Sequence, residues 1–309
     1  MENCILIDWL TVTIHGKDLG SVFDLLGIDP MSFQPMAFGR WGYAHGFTFD
    51  HISVYYDGTE DMGICVDMSG QGCRSYESYG RNDWQSFLFS ICSDRSTYRL
   101  TRLDIAFDDH SGILDLDQMR DDIDDLNFLS KSRSYEVQYG TEGTTFYFGS
   151  KKSNILLRIY DKAMERGFTD RHWVRVELQL RKDNAGRFVE NYMATLSIGE
   201  TFYGVLSNYL RFVVPNSDSN KSRWVTAPYW QALIGDCRRI RLWSAPGTEY
   251  NVENLFSYVI GQAGNAIETY IEIFGQAGFM SALDNRFKRI SPKYEKLKAQ
   301  ARAAGLIKY

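Results

Sequence analysis

The runs Leu156-Leu157-Arg158-Ile159-Tyr160-Asp161-Lys162 and Trp173-Val174-Arg175-Val176-Glu177-Leu178-Gln179-Leu180-Arg181 decide how this chain folds. Both alternate apolar and polar residues, the period of strands with one buried face. Arg158, Tyr160 and Lys162 share a face of the first, and Arg175, Glu177, Gln179 and Arg181 share a face of the second. The loop at residues 165–170 is short, which predicts antiparallel neighbours and brings Tyr160 close to Glu177. A third run, residues 98–108, puts Arg102, Asp104, Ala106 and Asp108 on one face and Leu103, Ile105 and Phe107 on the other. Such a polar face is either a solvated surface laced with cross-strand ion pairs or a working surface. As a working surface it holds a tyrosine, carboxylates and fixed cations, the equipment for attacking a phosphodiester.

Outward from these strands, residues 5–14 read as a first strand and residues 18–26 as a short helix. Residues 47–56 and 62–68 read as a strand pair. Ser69-Gly70-Gln71-Gly72-Cys73-Arg74 reads as a glycine turn, with Arg74 a candidate DNA contact. Residues 82–92 read as a helix. Residues 115–128 form an acidic one, with Leu116, Met119, Ile123 and Leu126 at helical spacing. Residues 134–138, 144–148 and 155–161 form a meander, and residues 185–196 and 201–212 are helices. Pro215-Asn216-Ser217-Asp218-Ser219-Asn220-Lys221-Ser222 carries the composition of a linker. The expected organisation is a catalytic domain over residues 1–214, a linker at 215–223, and a helical C-terminal subdomain at 224–309 for DNA contact or oligomerisation. The fold class is α+β: a largely antiparallel sheet with a polar catalytic face, helices on the other face and a helical C-terminal region.

Composition narrows the function classes. An aromatic content of 15% favours a strand-rich fold. A formal net charge of -5 argues against a uniformly basic nucleic-acid binder, so any such contact rests on local patches. Arg286, Lys288, Arg289, Lys293 and Lys296 open one basic patch near the C-terminus, and Lys151 and Lys152 form a smaller one. Five cysteines without C-x-x-C spacing indicate neither a disulfide framework nor a zinc site. The five histidines form no metal-spaced pair, and no phosphate-loop motif is present. With no signal peptide and no apolar run of membrane length, the expected location is cytoplasmic, away from membranes.

Carboxylates on separate strands suit a hard divalent cation, Mg²⁺ or Mn²⁺. Asp104, Glu177 and Asp108 are the candidate ligands. Tyr160 is the candidate nucleophile, and Arg158, Lys162 and Arg175 are the candidate stabilisers of transition-state charge.

Four stretches resemble the replication initiation factor family of rolling-circle plasmid initiators and conjugative-transposon relaxases. They are Ile7-Asp8-Trp9-Leu10-Thr11-Val12-Thr13, Met68-Ser69-Gly70-Gln71-Gly72-Cys73-Arg74, Thr101-Arg102-Leu103-Asp104-Ile105-Ala106, and Phe148-Gly149-Ser150-Lys151-Lys152-Ser153 through Leu157-Arg158-Ile159-Tyr160-Asp161-Lys162 to Arg175-Val176-Glu177. The resemblance implies that Tyr160 attacks one DNA strand, leaving a 5′-phosphotyrosyl link and a free 3′-OH. It implies metal ligation by Asp104 and Glu177. Its expected partners are single-stranded or cruciform origin DNA, a second copy of the chain and a host helicase. Arg74, Lys151, Lys152, Lys288 and Arg289 are the candidate DNA contacts. Two other readings stay open at this point: a hydrolytic metal-dependent nuclease, and a DNA-binding regulatory protein without catalysis.

Overall fold

The computed structural model describes residues 2–141, 143–236, 242, 259–260, 264–285, 298–299 and 301–302. The chain divides into two compact units, Met1–Trp243 and Ser244–Tyr309. Among the described residues no helix is long and apolar enough to cross a membrane.

In chain order, the first unit starts with β1 (Cys4–Ile14), α1 (Leu19–Leu26), β2 (Gln34–Pro35), β3 (His45–Phe49), β4 (Ile52–Tyr56) and β5 (Ile64–Met68). Then come α2 (Gly70–Tyr79), α3 (Trp84–Ser93), β6 (Tyr98–Asp109), α4 (Leu116–Asp124), β7 (Phe128–Ser130), β8 (Tyr135–Gly140), β9 (Gly143–Phe148) and β10 (Ile155–Asp161). It closes with α5 (Lys162–Glu165), β11 (Val174–Arg181), α6 (Asp183–Thr195), α7 (Ile198–Tyr209), β12 (Leu210–Val214), β13 (Val225–Thr226) and α8 (Pro228–Ile234). The second unit contributes α9 (Gly264–Asn285), a C-terminal helix kinked at Gly275, where φ is 73°.

Ten strands form one antiparallel sheet in the order β2-β3-β4-β5-β1-β6-β11-β10-β9-β8. The three alternating runs are therefore adjacent, at its centre. Their apolar sides meet helices α3, α6 and α7 in one core that holds Leu103, Ile105, Phe107, Leu157, Ile159, Val176, Leu178, Phe87, Leu88, Phe188 and Phe202. The expected α+β architecture is present, with helices on one face and polar side chains on the other.

Sequence and structure part in several places. Residues 47–56 are not one strand: β3 and β4 form a tight hairpin, with Asp50 at a φ of 51° in the turn between them. The glycine stretch after Met68 is not a turn but the first turns of α2. Its glycines permit a close approach: a Cβ at Gly72 would stand 2.3 Å from the His51 carbonyl oxygen, and one at Gly70 would stand 2.9 Å from the Asp8 carboxylate. Residues 215–223 do not separate two bodies. Val213 and Val214 pair with Thr226 and Val225 across them, closing a long hairpin. The indole of Trp230, beyond that hairpin, is fully buried and donates to the Leu210 carbonyl. The division between compact units falls instead at 243/244. The acidic helix does bury Met119 and Ile123 and leaves Asp117, Asp121 and Asp124 exposed, while Asp122 is half-buried and accepts from the Tyr229 hydroxyl.

Candidate active site

Antiparallel register sets the polar face in rows. Asp104 lies opposite Gln179, Ala106 opposite Glu177, and Asp108 opposite Arg175. Glu177 in turn lies opposite Arg158, and Arg175 opposite Tyr160. Arg158 and Tyr160 face Tyr147 and Thr145 on β9. The three runs thus deliver Asp104, Asp108, Arg175, Glu177, Arg158 and Tyr160 to one patch. That patch is the floor of a cleft of about 620 Å³, to which Lys162 and Arg74 also contribute.

The phenol of Tyr160 donates to Glu177 Oε2 at 3.2 Å. Arg158 Nη2 lies 2.5 and 2.6 Å from the two oxygens of Glu177. Arg175 clasps Asp108 through Nε at 2.6 Å and Nη2 at 2.8 Å, and its Nη1 reaches Asp8 at 2.8 Å. Arg102 Nη2 is 2.5 Å from Asp104 Oδ2. Lys162 pairs with Glu165. Asp104 and Glu177 are each only 1% exposed, so water cannot solvate their charges and these pairs must.

The site's charges perturb one another. Burial pushes the Tyr160 phenol well above its ordinary range and the Glu177 charge adds to that, while Arg175 and Arg158 oppose it. Burial also raises Asp104 against the pull of Arg102, with Glu177 raising it further. Asp8 is raised by burial and again by Glu177, with Arg175 opposing. Glu177 is thus the common neighbour of two other carboxylates. Six cations (Arg74, Arg102, Arg158, Lys162, Arg166, Arg175) line the cleft against five carboxylates (Asp8, Asp104, Asp108, Glu165, Glu177), a local excess of one positive charge in a chain of net -5.

Several expectations need refinement. Lys162 is not a strand residue. Asp161 ends β10 and caps α5 by accepting from the Met164 amide at 2.9 Å, and Lys162 enters the cleft from the first turn of that helix. Asp161 therefore points away from the metal candidates. Arg74 reaches the cleft from α2, anchored to the Ile7 carbonyl at 2.7 Å and to Glu77 at 2.6 Å. Lys151 and Lys152 sit exposed in the β9–β10 turn and do not line the cleft. Lys288 and Arg289 lie outside the described residues. Burial pushes the Cys73 thiol far up, so it supplies no thiolate.

Asp8 is the residue that alternation missed. Ile7 pairs with Ile105 and Trp9 with Asp104, a β-bulge that leaves Asp8 extra and turns both Asp8 and Trp9 to the polar side. The trace in the sequence is the apolar spacing Ile5, Ile7, Leu10, Val12, Ile14, which skips one place at the bulge. Glu165, Arg166 and Trp173, from the β10–β11 connection, complete the rim.

Among the described residues, no three acidic, imidazole or thiol side chains stand as a formed metal-binding group. Asp8, Asp104, Asp108 and Glu177 each turn to an arginine, and Glu165 to Lys162. The donor chemistry still suits a hard cation: Asp8, Asp104 and Glu177 offer only oxygens, and a carboxylate has about four lone-pair sites, more than one guanidinium occupies.

Residues 98–283 match the replication initiation factor family, and residues 4–90 match the N-terminal domain of rolling-circle replication initiation proteins. The chain is 27% identical over 264 residues to a putative DNA relaxase, NicK, of Bacillus subtilis, covering 79% of this chain and 74% of that one. The solved structure of a rolling-circle replication initiator protein from Geobacillus stearothermophilus superposes with a TM-score of 0.71 at 32% identity, over 79% of this chain and all of that one. The first match alone spans more than half of the sequence and includes every strand that builds the centre of the cleft, so the chain belongs to the replication initiation factor family.

Proposed function

We propose that the protein is a rolling-circle initiator or relaxase that nicks one DNA strand with Tyr160 as nucleophile. The observation that carries this reading is the hydrogen bond from the Tyr160 hydroxyl to Glu177 in the floor of a cleft rich in cations. A nucleophile bonded to a base that another group orients is the recurring arrangement of covalent catalysis. Here Arg158 orients Glu177. The relatives' names, a putative DNA relaxase and a rolling-circle initiator, point to the same chemistry.

In the step itself, Glu177 takes the phenolic proton and Tyr160 Oη forms a bond to the scissile phosphorus. The bond from phosphorus to the 3′ oxygen breaks, and that oxygen leaves as a free hydroxyl after taking a proton from water. The strand stays tethered through its 5′-phosphate. Arg158, Arg175 and Lys162 stabilise the charge that develops on the phosphoryl oxygens. Without help the raised Tyr160 phenol is protonated at neutral pH, so attack needs the proton acceptor and the cations together. Asp104 and Glu177, with Asp8 beside them, would hold Mg²⁺ or Mn²⁺. Such an ion polarises a phosphoryl oxygen as a Lewis acid. Asp108, whose two oxygens face Arg175 as those of Asp104 face Arg102 and those of Glu177 face Arg158, is the further candidate ligand.

The test is incubation with single-stranded DNA from the origin of the protein's own element, with Mn²⁺. A covalent protein–DNA adduct is expected, and its loss in Tyr160→Phe. Cleavage without an adduct would make the enzyme a hydrolytic nuclease. Salt-dependent binding without cleavage under any divalent metal would make it a regulator.

A further inference from the structure

Beside the cleft, on the same sheet face, lies a second hollow of about 350 Å³ lined by Trp9, Thr11, Trp41, Tyr43, Asp67 and Arg102, among others. It shares Trp9 and Arg102 with the cleft, so the two are continuous. Its character is different. Tyr43, Tyr55 and Cys65 form a small apolar cluster of their own, separate from the main core. Trp41 packs edge-on against Tyr55 with ring centroids 5.4 Å apart, yet remains 59% exposed. Trp41 also has a φ of 54°, a conformation that non-glycine residues seldom adopt. An exposed indole at the edge of this hollow, next to a cleft for a charged polymer, offers a flat face on which another ring can stack.

The polar equipment selects the occupant. Among the described residues Arg102 is the one cation lining this hollow, and it is already engaged: its guanidinium lies 3.9 Å over the Trp9 ring and pairs with Asp104. A phosphate would therefore meet Asp67 with little compensation. A neutral base meets aromatic rings and a fixed acceptor. Asp67 Oδ1 is held by Trp9 Nε1 at 2.9 Å and Thr11 Oγ1 at 2.6 Å. Both bonds go to the same oxygen, so Oδ2 is available to accept another donor. Carboxylates accept from exocyclic amino groups, such as cytosine N4. Thymine has no amino group.

Resting on the strand-nicking reading, we propose that this hollow takes an unpaired, amino-bearing base next to the scissile phosphate. Trp41 supplies the stacking surface and Asp67 reads the amino group. The hollow is then a specificity subsite: it sets which nucleotide flanks the nick, while the cleft performs the chemistry.

The experiment measures binding of short, labelled single-stranded homopolymers of deoxycytidine, deoxyadenosine and thymidine by fluorescence anisotropy, at fixed salt with chelator present. Wild type is expected to bind the cytidine and adenosine strands more tightly than thymidine. Trp41→Ala is expected to weaken binding about tenfold or more, and Trp41→Phe to restore most of it, because stacking on an aromatic contributes on that scale. Asp67→Asn should abolish the preference against thymidine and leave the affinity for thymidine itself near wild type. Equal affinity of Trp41→Ala and wild type overturns the subsite. So does the lack of any base preference, or a preference that survives Asp67→Asn. The adduct assay separates this from the underlying reading. A Tyr160 adduct with no Trp41 effect removes only the subsite, and a Trp41 effect without an adduct removes only the nicking chemistry. Wild type that binds no homopolymer removes the subsite, and the adduct assay alone then decides the nicking chemistry.

Discussion

Strand β11 has two faces that are equally withdrawn from water and held by opposite physics. Val174, Val176, Leu178 and Leu180 are buried in the main core. Arg175, Glu177 and Gln179, on the other side of the same strand, are buried too. The apolar face is satisfied by volume and contact, and tolerates any side chain that fills the space. The polar face is satisfied only as a set, because Arg175 needs Asp108 and Asp8 and Glu177 needs Arg158. Buried ion pairs roughly break even against well-packed apolar residues of the same size. Stability alone therefore gives no reason to keep these five charged residues there, whereas chemistry on a phosphodiester does.

The largest expected effect breaks the polar face without touching the apolar one. Glu177→Gln keeps the shape and leaves an amide oxygen for Arg158, but removes the acceptor for the Tyr160 proton and one of the charges that would hold the metal. Adduct formation is expected to slow by about 10²–10⁴-fold, the usual contribution of a positioned base. The melting temperature should stay within a few degrees of wild type. A fall in activity that merely follows a fall in folded fraction would make this face structural, like its opposite.

Leu178→Ala reverses the pattern. The side chain is fully buried between β6, β10 and the helices, so its loss should cost about 2–5 kcal/mol. A urea midpoint shifted down by that amount, with the adduct rate per folded molecule unchanged, would establish that the two faces are separable. A matching loss of rate would mean that packing under the sheet positions Glu177.

Asp109 sharpens the contrast within β6, since it follows Asp108 and does the opposite work. It is fully buried and accepts from the amides of Ser111, Gly112 and Leu114, with His172 Nε2 at 3.1 Å. Burial pushes its carboxyl up, but the Leu114 and Ser111 donors and His172 outweigh this and hold it below the ordinary range. A depressed folded pKa means stability that is fully present above the unfolded value of about 3.9 and lost as pH falls through the lower folded value. Asp109→Asn is expected to cost about 1–3 kcal/mol at neutral pH. The gap to wild type should narrow below about pH 4, read from urea unfolding at stepped pH. A gap independent of pH would assign the cost to packing rather than to charge.

The same contrast explains what the sequence made legible. β6, β10 and β11 could be read because each keeps an unbroken apolar face, and antiparallel register then places Tyr160 against Arg175 and Arg158 against Glu177. Asp8 could not be read that way, because a bulge shifts the alternation and only the gap between Ile7 and Leu10 records it. Residues 215–223 have the composition of a linker, and a long hairpin loop uses the same residues for the same reason: both leave the backbone in water. β12 was hidden because it follows α7 with no glycine or proline between them. The hollow at Trp41 has no periodicity to find. Its aromatic residues come from a loop and from β1, with Tyr55 of β4 packed against Trp41, and only the folded sheet brings them together.

The smallest expected effect tests how far the DNA path runs beyond the cleft. Lys151 and Lys152 lie in the turn before Ile155, at the opposite end of β10 from Tyr160, roughly 16 Å away at strand rise. Both are exposed, so a double change to alanine should alter stability by no more than about 0.5 kcal/mol. If DNA is confined to the cleft and the Trp41 hollow, the adduct rate is unchanged. The slope of log affinity against log salt is then unchanged as well, because no phosphate loses a partner. A slope reduced by about one to two units would mean that the strand continues along β10 to its far end and meets these lysines there. The polar face would then be a track that runs the length of the strand, with Tyr160 at one end of it.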